Sequence, residues 1–158
     1  MEIDLDDASS ITMYQACLLH SRADRALRLV VSKKLDQFNV TLMEWLLMGT
    51  VKNGPKEGMT MSAVAATLDV TLPQVTALIT NLTKHKLLKQ KISRQDRRSR
   101  RLVSTNAGNK LVENIEQEVD QAMRDWVNDI PSDQLQTYIK TIAVLAERKP
   151  SDDNVNKM

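Results

Sequence analysis

Apolar residues recur at Ile11, Tyr14, Leu18, Ala23, Ala26, Leu27, Val30 and Val31, close to the roughly 3.6-residue period of a helix, behind Ser9-Ser10 as a cap. This first helix should fade near Gln37, where Phe38-Asn39 intervene. Thr41 can cap a second helix from Leu42 to about Val51, with Leu42, Trp45, Leu46 and Met48 apolar, before the loop KNGPKEG breaks the pattern. Thr60 caps a short third helix with Met61, Val64, Ala65 and Leu68 inward, and LDVT makes a tight turn. Thr71 caps a fourth helix, with Pro73 in its first turn, where a missing N–H costs nothing. Val75, Leu78, Ile79 and Leu82 form its buried stripe. Lys89–Ile92 and Arg101–Ser104 alternate like strands of a hairpin. Thr105 caps a long fifth helix with Leu111, Ile115, Val119, Ala122, Met123 and Trp126 on one face, and Pro131 breaks it. A sixth helix begins at Ser132 or Asp133, with Leu135, Tyr138, Ile139, Ile142 and Leu145 apolar. The polar tail, 149–158, reads as disordered.

Composition narrows the class. With 42% hydrophobic and 27% charged residues, the 158-residue chain suits a soluble domain with one core. No apolar run approaches the ~20 residues that span a bilayer, so no membrane partner is expected. The start, MEIDLDDASS, is unlike a secretory signal, and the single Cys17 excludes an internal disulfide framework; both point to the cytoplasm. The net charge of +2 hides an asymmetry: Lys84–Arg101 carries +8 and the remainder −6. A basic stripe on an acidic body is the footprint of a polyanion binder, although a solvated loop would look the same in isolation.

Context separates the two. The start of the fourth helix presents a small, polar, acid-free face beside its apolar stripe, and the basic hairpin follows it. A helix fits the major groove, and a hairpin arginine suits the negative potential of the minor groove. The order helix, turn, helix, basic hairpin therefore reads as a winged helix-turn-helix.

The segment SRQDRRSRRLVSTNAG, Ser93 to Gly108, makes the pattern specific. Asp96-Arg97-Arg98-Ser99, a strand, then Thr105 and Gly108 resemble the wing signature of the MarR family of transcription regulators, and residues 60–88 resemble its helix-turn-helix. The resemblance implies a mainly α fold: a three-helix core plus β-hairpin wing over 41–104, with long dimerisation helices over 10–37 and 106–147. It makes Arg98 the minor-groove arginine, with Asp96 holding its guanidinium and Arg97 beside it. It turns Thr71, Leu72, Pro73, Gln74, Thr76 and Ala77 toward the major groove. Ala77 stands where a basic residue is common in the family; Gln74, whose amide suits adenine, is the favoured base reader, Thr76 the second, and Ala77 suits a thymine methyl. Lys84, Lys89, Lys91, Arg94, Arg100 and Arg101 are the phosphate ligands expected from charge. The terminal helices would pair two copies through Ile11, Tyr14, Leu18, Leu135, Tyr138, Ile139 and Ile142, some of which serve the chain's own core instead.

The expected activity is sequence-specific binding of a pseudo-palindromic DNA duplex by a homodimer that represses and is released by an effector. A small aromatic or phenolic effector would meet Arg22, Trp45 and Met48, although Trp45 is equally a core residue. Two alternatives remain open: redox sensing through Cys17, and a winged helix that binds partners or ligands without specific DNA contact. His20 and His85 are the only histidines, too few for a zinc sensor, and no cofactor is expected. No nucleophile–base pair, phosphate loop or HExxH motif supports an enzyme.

Overall fold

A computed structural model describes residues 11–92 and 100–148. Its elements run α1 (Met13–Leu35), a 3-10 turn (Asp36–Phe38), α2 (Leu42–Asn53), α3 (Met61–Leu68), α4 (Leu72–Lys84), β1 (Leu88–Ile92), β2 (Arg100–Ser104), α5 (Asn106–Trp126) and α6 (Ser132–Glu147). This is the mainly helical winged-helix arrangement read from the sequence. No single helix among the described residues is long and apolar enough to cross a membrane.

Local chemistry sets the helix starts. Thr12 caps α1 rather than Ser9-Ser10, because Thr12 and Gln15 form a reciprocal capping box: Gln15 N–H donates to Thr12 Oγ1 at 3.3 Å and Thr12 N–H to Gln15 Oε1 at 2.8 Å. The serines lie outside the described residues. Thr41 and Glu44 make the same box at α2, and Thr60 accepts the N–H of Ala63 at α3. Asn39, Asp69 and Lys86 take left-handed backbone conformations, each at a turn that ends a helical segment.

The chain divides into two compact units, 1–123 and 124–158. The first holds the core: Val31 and Leu35 of α1, Leu47, Met48 and Val51 of α2, Val64 of α3, Val75, Ile79 and Leu82 of α4, Leu88 and Leu102 of the hairpin, and Val112, Ile115 and Val119 of α5. On α2 the buried position is Leu47, and Leu46 is exposed, reversing the sequence expectation. The run LMEWLLMG is apolar around most of its circumference, so periodicity could not phase it. Trp126, expected on the buried face of α5, is also exposed; the tightly buried stripe of that helix ends at Val119. In the second unit, α6 has no buried residue, and Tyr138, Ile139, Val144 and Leu145 are exposed.

β1 and β2 are antiparallel, with Leu88 opposite Ser104 and Ile92 opposite Arg100. A third backbone segment, absent from the sequence reading, joins them: Met59 N–H donates to Leu102 O at 3.0 Å and Leu102 N–H to Met59 O at 2.7 Å. The loop before α3 is thereby fixed to the wing.

Candidate nucleic-acid interface

The axes of α3 and α4 turn by 110° across the three residues between them, the geometry of a helix-turn-helix. Val75, Ile79 and Leu82 hold α4 on the core, and Leu72, Pro73, Gln74, Thr76, Ala77 and Thr80 are all exposed. The six residues expected to face a major groove, Thr71 included, are thus all accessible at one end of α4, with Thr80 one turn on.

Gln74 is not free in the way base pairing requires. Its Oε1 accepts from Thr71 N–H at 2.9 Å and Thr71 O–H at 2.8 Å. A bidentate pair with adenine needs both the oxygen and the nitrogen of the amide, and the oxygen is already engaged by the helix cap. Thr71 and Gln74 therefore act together to start the helix.

The orientation of α4 is fixed from below by a carboxylate, that of Glu44. Glu44 is buried on α2, accepts from Thr41 N–H and O–H at 2.9 Å each, and accepts from the side-chain amide of Asn81 on α4. Burial pushes the Glu44 carboxyl up, but hydrogen bonds from Thr41 and Asn81 and the nearby His85 together outweigh it. The net effect holds the group below the usual glutamic acid value. The signal was present in the spacing Thr41-x-x-Glu44, a capping box followed by an apolar run.

In the wing, strand pairing sorts the basic residues. Alternation places Lys89, Lys91 and Arg101 on one face of the hairpin and Gln90, Ile92 and Arg100 on the other. Lys84, Lys89, Lys91 and Arg100 are exposed. Arg101 is half-buried and donates through Nη1 to the carbonyl of Gly58 at 2.9 Å, so it braces the hairpin against the loop. Arg94, Asp96, Arg97 and Arg98 lie outside the described residues.

The base of the wing explains the Thr-x-x-Gly pattern. Thr105 Oγ1 donates to the carbonyls of Lys86 and Leu87 and accepts the N–H of Gly108 at 3.0 Å. A Cβ on Gly108 would run into the Leu87 backbone carbonyl. The pair thus allows α5 to start directly against the end of the helix-turn-helix.

The remaining expected positions are dispersed. Tyr14, Tyr138 and Ile139 are exposed, while Ile11, Leu18, Leu135 and Ile142 are half-buried. Met48 is fully buried and Trp45 packs against the core, whereas Arg22 is exposed on α1. Met48 is therefore a core residue rather than the lining of an open pocket. Cys17 is exposed. Among the described residues, no group of three or more His, Cys, Asp or Glu side chains is arranged to hold a metal.

Residues 38–99 match the MarR family. The winged-helix lobe is similar to the MarR family over that stretch. The match takes in α2, α3, α4 and β1 and ends before β2. No curated protein matches the chain by sequence. Among solved structures, the S. aureus MepR–DNA complex is 23% identical with a TM-score of 0.72, covering 87% of this chain and 98% of MepR. A MarR-family transcriptional regulator from a Rhodococcus species is 19% identical with a TM-score of 0.79, covering 89% of this chain and 99% of its own. CouR from Rhodococcus jostii, bound to p-coumaroyl-CoA, is 22% identical with a TM-score of 0.74, covering 85% and 93%. At these identities the agreement establishes a shared fold, which extends beyond the matched segment.

Proposed function

We propose that the chain is a sequence-specific DNA-binding transcription regulator of the MarR type, acting as a homodimer on a two-fold-symmetric operator. The observation that carries this reading is the exposed, acid-free end of α4, braced by Glu44 and followed directly by a basic hairpin. The start of α4 suits a groove, and the positive end of its helix dipole suits phosphate. Lys84, Lys89, Lys91 and Arg100 supply further positive charge, and Arg98, with Asp96 positioning it and Arg97 beside it, would enter the minor groove. A fold shared with MepR, solved in complex with DNA, supports the same use.

Exposed apolar side chains on α1 (Met13, Tyr14) and on α6 (Tyr138, Ile139, Leu145) support pairing of two copies. Such a dimer would set two α4 helices on successive major grooves, about 34–36 Å apart. By blocking a promoter it would repress. A small aromatic or phenolic effector would release it by favouring a dimer whose heads no longer match that spacing. The structure of CouR with p-coumaroyl-CoA bound supports a ligand of this kind.

Selection of duplexes from a random pool tests the proposal. The expected product is an inverted repeat whose half-sites lie one helical turn apart, bound with an affinity that falls steeply with salt, by a log–log slope of about −0.9 per phosphate neutralised. No enrichment, or an affinity indifferent to salt, would refute it.

A further inference from the structure

Hydrogen bonds within α4 decide what its outer face can offer a major groove. The side-chain oxygen of Gln74 is held by Thr71. The hydroxyl of Thr76 donates to the carbonyl of Leu72 at 2.8 Å, and that of Thr80 donates to the carbonyl of Thr76 at 2.8 Å. Both hydroxyl protons are therefore directed onto the helix backbone one turn back, and each exposed threonine is left with its γ-methyl as its apolar contact group. Leu72 is 49% exposed, and Pro73 and Ala77 are exposed beside it; none of the three has a polar side-chain atom. From residue 72 to residue 80 the accessible face offers methyl and methylene groups, its polar atoms being the Gln74 amide and the two threonine oxygens.

The charged readers are missing from the same stretch. Residues 71–83 contain no arginine or lysine to fork onto guanine and no carboxylate to accept from cytosine. Of the four bases, only thymine presents an apolar group in the major groove, its C5-methyl.

We propose that α4 selects its operator through thymine methyl groups, with Leu72, Thr76, Ala77 and Thr80 as the specificity-determining residues. The inference rests on the DNA-binding reading above and names the chemistry by which that surface chooses sequence. Thymines stand at the groove-facing positions of each half-site, and their methyls pack among these side chains. Gln74 contributes to the choice chiefly by fixing the first turn of α4.

The test uses the duplex selected from the random pool. Replacing its half-site thymines by deoxyuridine removes the C5-methyl and keeps every hydrogen-bond donor and acceptor. Affinity should fall about three- to five-fold for each methyl in contact, the factor that burial of one such carbon implies. Deoxyuridine outside the half-sites should change nothing. Thr76→Val keeps a methyl and removes the hydroxyl, and should retain the preference for thymine over uracil. Thr76→Ser does the reverse and should lose part of it, as should Leu72→Ala. The readout is a ratio of affinities within one preparation, so differences in stability between variants do not enter it. Equal affinity for both duplexes, with the preference over a scrambled duplex intact, overturns the methyl reading and leaves the DNA-binding proposal standing. If the thymine duplex is not preferred over the scrambled one, the DNA-binding proposal falls and takes this inference with it.

Discussion

Asn81, on α4, donates its side-chain amide to the buried carboxylate of Glu44 at the start of α2. One acid thus caps one helix and fixes the angle of another. Glu44→Ala removes the capping box and leaves Asn81 and the Thr41 N–H without their acceptor. The expected loss is about 1–3 kcal/mol in urea unfolding. Asn81→Ala leaves the capping box in place and should cost about 1 kcal/mol. Wild-type stability in Glu44→Ala would show that the network does not hold α4.

The same carboxylate makes stability depend on pH, with a definite sign. The folded chain favours ionised Glu44 more than the unfolded chain does, because its hydrogen bonds and His85 outweigh the cost of burial. A lowered folded value contributes stability fully above the ordinary glutamic acid value of 4.5 and loses it as pH falls through the folded value. The stability gap between wild type and Glu44→Gln should therefore be constant above about pH 5.5 and shrink below it. A gap that widens on acidification would contradict the assignment.

Gly108→Ala sets two effects against each other. Alanine favours a helix interior over glycine by about 1 kcal/mol. Here the added Cβ meets the Leu87 carbonyl, which is backbone and has no rotamer through which to withdraw. Overpacking should win, with a net loss of about 1–3 kcal/mol in thermal unfolding. A more stable variant would mean that the helix start can move away from Leu87.

The comparison of pattern with structure divides along physical lines. The caps at Thr41, Thr60 and Thr105 are legible because a hydroxyl three residues ahead of a free N–H is a local arrangement. The stripe Val75, Ile79, Leu82 was legible because the rest of α4 is polar enough to define its phase. The choice of Leu47 over Leu46 was not, since tertiary contacts alone decide which side of an apolar helix is buried. The Met59–Leu102 bridge has no alternation to reveal it, being one residue long. The chemistry of Gln74 suits a base reader, yet Thr71-x-x-Gln74 has capping-box spacing, and its oxygen is engaged accordingly. The engagement of Arg101 by Gly58 joins residues 43 apart in sequence, which composition cannot foresee.

The dimer proposal has its own test on α6. Ile139 is 64% exposed and α6 has no buried residue among those described. Ile139→Asp should leave helicity unchanged while raising the dimer dissociation constant at least tenfold, because an unpaired carboxylate would enter an apolar contact. Light scattering across a dilution series measures it. A dimer as tight as wild type would place the pairing surface elsewhere.

Arg101 and Lys89 share a hairpin face but should behave oppositely on substitution. Arg101 is held by the Gly58 carbonyl, and Gly58 has φ +94° with Leu102 and Val103 packed against it, so the loop has little freedom to follow a released side chain. Arg101→Ala should lower the stability of the free protein by about 1 kcal/mol, with any loss of DNA affinity arising from a loosened wing. Lys89 is exposed and sits beside the buried Val103 on β2 without bracing anything. Lys89→Ala should leave stability within about 0.5 kcal/mol, weaken binding equally across sequences, and reduce the log–log salt slope by about one. The two salt slopes, measured with the two melting curves, separate a residue that builds the wing from one that uses it. A reduced slope for Arg101→Ala with unchanged stability would reverse the assignment and return Arg101 to the phosphate backbone.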